Sequence, residues 1–220
     1  MFYKEMSFTD EMASSFPERN PLPGVLRQAL QFMEEHGCVR TRRDGVRYMT
    51  LYPKPEHSDL AKTGFFVPDP ADTAQWTKSD DPEVNDRLAI FLRTGGDGSW
   101  AGLWRDDNGQ QRIVHLGSGS GSVMLCVLAE NIEDLLRLLA IGYDEHCWPD
   151  QFELTPDEVR EDEYDDDDYP PPPQLFQNYV KNILGLSIPA RGSEVVGKTV
   201  SMDESESDDD FWNWLKRLND

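Results

Sequence analysis

The sequence predicts an α+β fold, with a mostly antiparallel or mixed sheet of about five to six strands and helices packed on it. Two hairpin signals, Asp44-Gly45 and Asp107-Asn108-Gly109, each separate two segments of strand composition. An unbroken apolar run over residues 123–129 is followed by apolar residues at helical spacing over residues 132–139. Hairpins that alternate with amphipathic helices are typical of one sheet covered by helices.

The first predicted elements are a helix and a hairpin. Residues 24–36 carry one apolar stripe that ends at Gly37, as expected for a helix packed on a core. Residues 38–43 and 46–52 are predicted strands around the first hairpin turn. The hairpin also contains a basic cluster, formed by Arg40, Arg42, Arg43 and Arg47. We expect these side chains to pair with the protein's own acidic residues.

Residues 53–80 contain four prolines and are predicted to be loop-rich, with a short strand at residues 65–67. Asp81-Pro82-Glu83 has the composition of a helix start, with a capping carboxylate, a proline in the first turn and a second acid near the positive helix end. Apolar residues at positions 84, 88, 91 and 92 predict a helix that ends at Gly95.

The central part of the chain predicts two strands, a loop, a third strand and a helix. Residues 100–104 and 111–116 form the second predicted hairpin, and residues 117–122 form a mobile connection that we name the glycine–serine loop. Residues 123–129 are apolar throughout and predict a central strand covered on both faces. Asn131 is a predicted helix cap, and Gly142 is the predicted helix end.

The order of these motifs resembles the SUKH superfamily. The resemblance lies in GGDGSWAGLW at residues 95–104, Leu-Gly-Ser at 116–118, the apolar strand and the Leu-rich helix at 131–142, about 50 residues in all. It implies a SUKH-like α+β fold and the function of bacterial immunity proteins, which neutralise polymorphic toxins. The family often has an acidic residue after Leu-Gly-Ser, whereas this chain has the uncharged stretch 119–122.

The net charge of −21 indicates the class of partner. The last 80 residues contain 21 of the 42 acidic side chains but only 6 of the 21 basic ones. Such a field repels nucleic acid and anionic membranes and attracts basic proteins, although it also serves solubility. No leader-like start and no run of about 18 apolar residues is seen. The sequence therefore predicts a cytoplasmic protein with a protein partner, and neither a nucleic-acid nor a membrane partner.

The residues that carry chemistry form no recognisable catalytic or metal-binding pattern. The four histidines lack zinc-ligand spacing, and the three cysteines do not suggest a disulfide framework. The glycine–serine loop lacks the Lys-Ser/Thr of a phosphate-binding loop. We therefore expect no enzyme activity, no cofactor and no metal, and the sequence does not indicate an oligomeric state.

The predicted function is that of an immunity-type protein that neutralises a cognate toxin. Toxins that act on nucleic acids are basic around their active sites, so an acidic surface can meet and occlude such a site. Core packing is the alternative role for the two tryptophans in the predicted set. The predicted partner-binding residues are Asp97, Trp100, Trp104, Asp106, Asp107, Asp144, Glu145 and Asp150.

The C-terminal part predicts a second unit. We assign residues 1–154 to the SUKH-like domain and residues 155–220 to an acidic, Pro-containing extension with two short helices. Residues 161–173 are predicted to be solvated and linker-like, and residues 201–210 to be a disordered acidic tail. The terminal FWNWLKRL either docks on the body, which we favour, or is a helical ligand for a partner. In the latter case the chain would be an acidic scaffold or regulatory adaptor.

Overall fold

The computed structural model describes residues 6–163 and 169–219. In this part of the chain seven strands form one antiparallel sheet, and their order in the sheet is their order in the sequence. The α+β class is confirmed, with seven strands instead of five or six. The strands are β1 (Val39–Thr41), β2 (Arg47–Met49), β3 (Gly64–Phe66), β4 (Leu88–Arg93), β5 (Trp100–Arg105), β6 (Gln111–Leu116) and β7 (Leu125–Ala129).

The helices contact the sheet and each other, and α6 packs against β6, β7 and α2. The predicted limits of α6 are confirmed, because Asn131 Oδ1 accepts a hydrogen bond from the N–H of Asp134 at 2.9 Å, and Gly142 ends the helix with a φ of 105°. The helices are α1 (Phe8–Ser15), α2 (Gly24–Glu35), α3 (Pro55–Ser58), α4 (Pro70–Thr77), α5 (Pro82–Asn85), α6 (Ile132–Ile141), α7 (Pro156–Glu163), α8 (Gln174–Asn178) and α9 (Asp210–Asn219).

The helix predicted from residue 81 to residue 95 is wrong beyond its first turn. Helix α5 ends at Asn85, and the next apolar residues form β4, in which Leu88 to Leu92 are all buried. A short apolar run fits a buried strand as well as a helix, and pairing with β3 and β5 decides between them. This strand accounts for the difference in strand number. The loop-rich prediction also omitted α4, which Asp69 caps.

Strand β7 was predicted to be central but is the last strand of the sheet. Its outer edge is covered by the chain near residue 200. The N–H of Leu125 donates to Val200 O at 2.8 Å, and the N–H of Met202 donates to Val123 O at 2.7 Å. The C-terminal segment thus satisfies edge groups that another chain could otherwise pair with, which explains why a terminal strand is as apolar as a central one.

The C-terminal extension contributes to the same hydrophobic core as the rest of the chain, through side chains that include Phe176, Val180 and Phe211. The linker-like prediction fails at Tyr169, which is buried and whose hydroxyl accepts a hydrogen bond from the N–H of Asp144. Residues 164–168 of that stretch lie outside the described residues. The favoured docking of the terminal helix is confirmed. The boundary between residues 154 and 155 stays a prediction.

The basic cluster of the first hairpin is largely used within the fold. Arg42 pairs with Asp44 at 3.0 Å and Arg47 pairs with Glu11, as predicted, whereas Arg40 donates to backbone carbonyl groups. Among the described residues no helix has the length and apolar character needed to cross a bilayer.

Candidate binding surface

The eight sequence-predicted residues do not form one exposed surface. Most of them lie near one of the two ends of β5, so the strand separates them. Asp97 and Trp100 are half-buried, and Asp107 and Asp150 are exposed. The remaining four are buried and face other parts of the protein, which corrects the expectation for Trp104, Asp106, Asp144 and Glu145.

Asp97 connects the start of β5 to the glycine–serine loop. Its carboxylate accepts hydrogen bonds from the N–H of Ser99 at 2.9 Å, the hydroxyl of Ser118 at 2.8 Å and the N–H of Ser122 at 2.8 Å. Partial burial acts to raise the pKa of Asp97, but these bonds favour the ionised form and lower it overall. A Cβ at Gly121 would lie 2.7 Å from the Asp97 side chain. The loop predicted to be mobile is therefore held by this aspartate.

Asp144 and Glu145 also hold the fold together. Asp144 forms an ion pair with Lys62 at 3.0 Å and accepts the backbone N–H of the same lysine at 3.1 Å. Burial raises the pKa of Asp144 more than the lysine lowers it. Glu145 accepts the N–H of Gly96 at 2.7 Å and the indole N–H of Trp148. Both carboxylates are thus buried and occupied by internal donors.

At the other end of β5, Asp106 builds the hairpin turn. One of its oxygens accepts the N–H groups of Asn108 and Gln110, both at 2.8 Å. The neighbouring Asp107 is exposed but pairs with Arg87 at 2.8 Å. The acids of this end are thus accounted for by the turn and by surface ion pairs.

Trp104 has the core role that was its alternative interpretation. It is only 1% exposed, and its ring lies 5.4 Å from Phe211 and 5.6 Å from Trp214, measured between ring centroids. Both partners belong to α9, so the tryptophan predicted to bind another protein instead receives the chain's own terminal helix.

The buried polar groups near Asp97 include two histidines and a cysteine. His115 contacts the hydroxyl of Thr94 at 2.9 Å, and His146 contacts that of Thr63 at 3.1 Å. Burial lowers the pKa of each imidazole to about 4, so both are neutral at pH 7. Burial raises the pKa of the Cys147 thiol, which disfavours the nucleophilic thiolate. Within the described ranges no group of three His, Cys, Asp or Glu side chains is placed to hold a metal ion.

Four exposed carboxylates lie between the segment near residue 200 that bonds to β7 and the start of α9, and none of them has an ion pair in the part of the chain that the structure describes. We call this segment the acidic loop, defined by Asp203, Glu204, Glu206 and Asp208. All four side chains are exposed, and none forms an ion pair with residues 6–163 or 169–219. They give this surface a concentrated negative charge.

The acidic loop is fixed at both ends. Before it, the N–H of Met202 donates to Val123 O, just ahead of β7. After it, Asp209 accepts the N–H of Trp212 at 2.8 Å, which caps α9, and the N–H of Val127 in β7 at 2.8 Å. Asn213 also donates to Ser207 O at 2.8 Å inside the loop. The loop's carboxylates are therefore presented from an ordered backbone.

Sequence reasoning missed this surface because it treated residues 201–210 as a disordered tail. The acidic run was visible, and so was the aromatic helix after it. A terminal helix that docks on the body also tethers the acidic run before it. The pairing with β7 has no local signal, because its partners are about 75 residues apart in the chain.

No match was found when the chain was compared with protein-family models, with curated proteins and with solved structures.

Proposed function

We propose that this chain is a non-enzymatic, SUKH-type immunity protein that binds and neutralises a basic toxin. The resemblance at residues 95–142 supports the class. The observation that carries the binding surface is the acidic loop: four exposed carboxylates that form no ion pair with the described residues, on a segment anchored at Met202 and Asp209. Because the loop is ordered before binding, little conformational entropy is lost when a partner docks.

The mechanism is occlusion by charge complementarity. A toxin that cleaves or modifies nucleic acid exposes Lys and Arg side chains around its active site, and the negative field of the loop speeds its encounter with them. Once docked, the loop occupies the surface that the phosphate backbone of the substrate requires. Asp107 and Asp150, which are exposed, and Trp100, which is half-buried, stay candidate contacts.

The test compares two variants of equal net charge. In the loop variant, Asp203→Asn, Glu204→Gln, Glu206→Gln and Asp208→Asn neutralise the acidic loop. In the control variant, four exposed acids outside it are neutralised: Glu56→Gln, Asp59→Asn, Asp80→Asn and Glu153→Gln. Each immobilised protein is used to capture partners from a lysate of its own source, at about 50 mM and about 500 mM salt.

The expected result is one basic protein that the wild type and the control variant capture at low salt and release at high salt. The purified partner should lose its catalytic activity when the wild type is added, and the loop variant should bind it at least about tenfold more weakly. Equal binding by the loop variant, or a captured partner that keeps its activity, would contradict the proposal.

The adaptor alternative is weakened by the position of α9, since a helix packed on Trp104 is not a free peptide ligand. Deleting residues 160–220 cannot separate the two functions, because Phe176 and Phe211 belong to the core and the remainder would lose stability. The capture experiment does separate them. Several unrelated partners that all depend on the acidic loop would favour the adaptor function.

A further inference from the structure

A cavity of about 470 Å³ lies between α4 and α9. Its apolar wall is formed by Trp76 from α4, Trp212 and Leu215 from α9, and Leu125 and Met202 from the edge of the sheet. Cavities of this size are in the range that small organic ligands occupy, and an apolar wall with a few polar groups is usual for them. The protein-binding surface proposed above does not include this cavity.

Two lysines give the cavity a charge opposite to that of the whole protein. Lys78 follows α4 with a left-handed backbone, at a φ of 50°. The Nζ atom of Lys216, on α9, lies 5.4 Å from the centroid of the Trp212 ring. Neither lysine forms an ion pair in the described part of the chain, and no carboxylate is among the residues that line the cavity there.

Helix electrostatics explains each lysine separately, because both lie at or near a helix C-terminus, where a cation is favourable. It does not explain why both border one apolar cavity that has no acid among its described lining residues, in a chain with twice as many acidic as basic residues. The other polar lining groups, Gln75, Ser118 and Asn219, are uncharged. The site is thus complementary to a molecule that is apolar over most of its surface and carries a negative group.

We propose that this cavity binds a small organic anion, with an aromatic or other apolar body against the tryptophans and a carboxylate or phosphate group at Lys78 and Lys216. The apolar wall supplies most of the buried area. The lysines supply charge-assisted hydrogen bonds, which select an anion over a neutral analogue.

The test uses two fluorescent probes that share an aromatic skeleton. Anilinonaphthalene sulfonate carries one negative charge, whereas phenylnaphthylamine is uncharged. Each is titrated into the folded, full-length protein, and saturation at a single site is expected for the anionic probe. The double variant Lys78→Met and Lys216→Met should weaken the anionic probe by about tenfold, the loss expected when charged hydrogen bonds are removed. Binding of the uncharged probe should change by less than about twofold, since methionine keeps the apolar stem.

The matched control is Lys181→Met with Lys198→Met, which has the same net charge but alters exposed lysines outside the cavity. It should bind both probes as the wild type does. Unchanged thermal melts would show that each variant is folded. Equal losses for both probes, an equal loss in the control, or no saturable binding by the wild type would overturn the proposal.

Competition identifies the anionic group. Naphthoate and naphthyl phosphate are added to the complex with the anionic probe, and the more effective competitor indicates a carboxylate or a phosphate ligand. Displacement by either one supports the proposal, and failure of both would overturn it.

Discussion

Asp97 accepts hydrogen bonds from three serines, two of which lie in the glycine–serine loop. Glu206 in the acidic loop, by contrast, forms neither an ion pair nor a hydrogen bond with the part of the chain that the structure describes. Asp209, only three residues after Glu206, again holds two backbone N–H groups. Glu206 and Asp209, two carboxylates only three residues apart, thus have opposite roles. The two roles differ in whether backbone N–H donors bond to the carboxylate. The acidic residues that produce the net charge are therefore of two kinds, structural acids that accept such bonds and surface acids that do not.

The largest effect is expected at Asp97. Replacing it with alanine leaves the N–H groups of Ser99 and Ser122 without their partner and releases the glycine–serine loop. We expect Asp97→Ala to lower the free energy of unfolding by about 3 kcal/mol. Urea denaturation measures this, with Asp150→Ala as an exposed control that should change it by less than about 0.5 kcal/mol. Similar small losses in both variants would remove the distinction between structural and surface acids.

A smaller loss is expected at Asp209. Asp209→Ala removes the cap of α9 and the acceptor for Val127, and we expect it to cost about 2 kcal/mol. The neighbouring Asp208→Ala, which removes an exposed carboxylate from the acidic loop, is the control. Hydrogen exchange should show faster exchange at the amide of Val127 in the first variant and not in the second. Protection that is unchanged at Val127 would argue against the anchoring role of Asp209.

The sequence predicted the elements whose signals are local. The hairpin of β5 and β6 and the capped helix α6 were found because the turn, cap and stop residues lie within a few positions of each other. Strand β4 was mistaken for a helix because its apolar run fits both periods, and only pairing with distant strands decides. Local pattern could identify the class of fold but not every element.

The candidate surface was harder to predict than the fold. Sequence reasoning chose acids near the central hairpin, but Asp106 and Glu145 are there because they satisfy backbone and indole donors. Asp209 reaches Val127 across 82 positions of the chain, a contact that no short pattern contains. Whether an acid is structural or exposed depends on such distant donors, so the acidic loop could not be selected from composition alone.

The two structural carboxylates, Asp97 and Asp209, should respond to pH with opposite sign. Because the pKa of Asp97 is lowered on folding, its stabilisation is present above the unfolded value of about 3.9 and is lost as the pH falls through the folded pKa. Burial raises the pKa of Asp209, so its contribution is greatest below the unfolded value and declines as the pH rises through the folded pKa.

Urea denaturation of Asp97→Asn and Asp209→Asn at a series of pH values measures this difference. The stability lost by Asp97→Asn should be larger at about pH 6 than at about pH 3. The stability lost by Asp209→Asn should be smaller at about pH 6 than at about pH 3. If the stability lost by each variant changed with pH in the same direction, the pKa values of the two carboxylates would not be shifted in opposite directions, and the prediction would be wrong.

The smallest effect on stability is expected from the loop variant, in which the four carboxylates of the acidic loop are neutralised. The same variant is expected to have the largest effect on binding. Six of the eight residues at positions 203–210 are acidic, so neutralising the four exposed members of the acidic loop relieves like-charge repulsion without removing any hydrogen-bond acceptor used by the fold. We expect the free energy of unfolding to rise or to stay within about 0.5 kcal/mol of the wild type at low salt. Added salt should stabilise the wild type more than this variant, because screening removes the same repulsion. A clear loss of stability would instead show that these carboxylates stabilise the fold, as Asp97 does. The acidity of the loop would then be explained by structure alone and would no longer support a binding role.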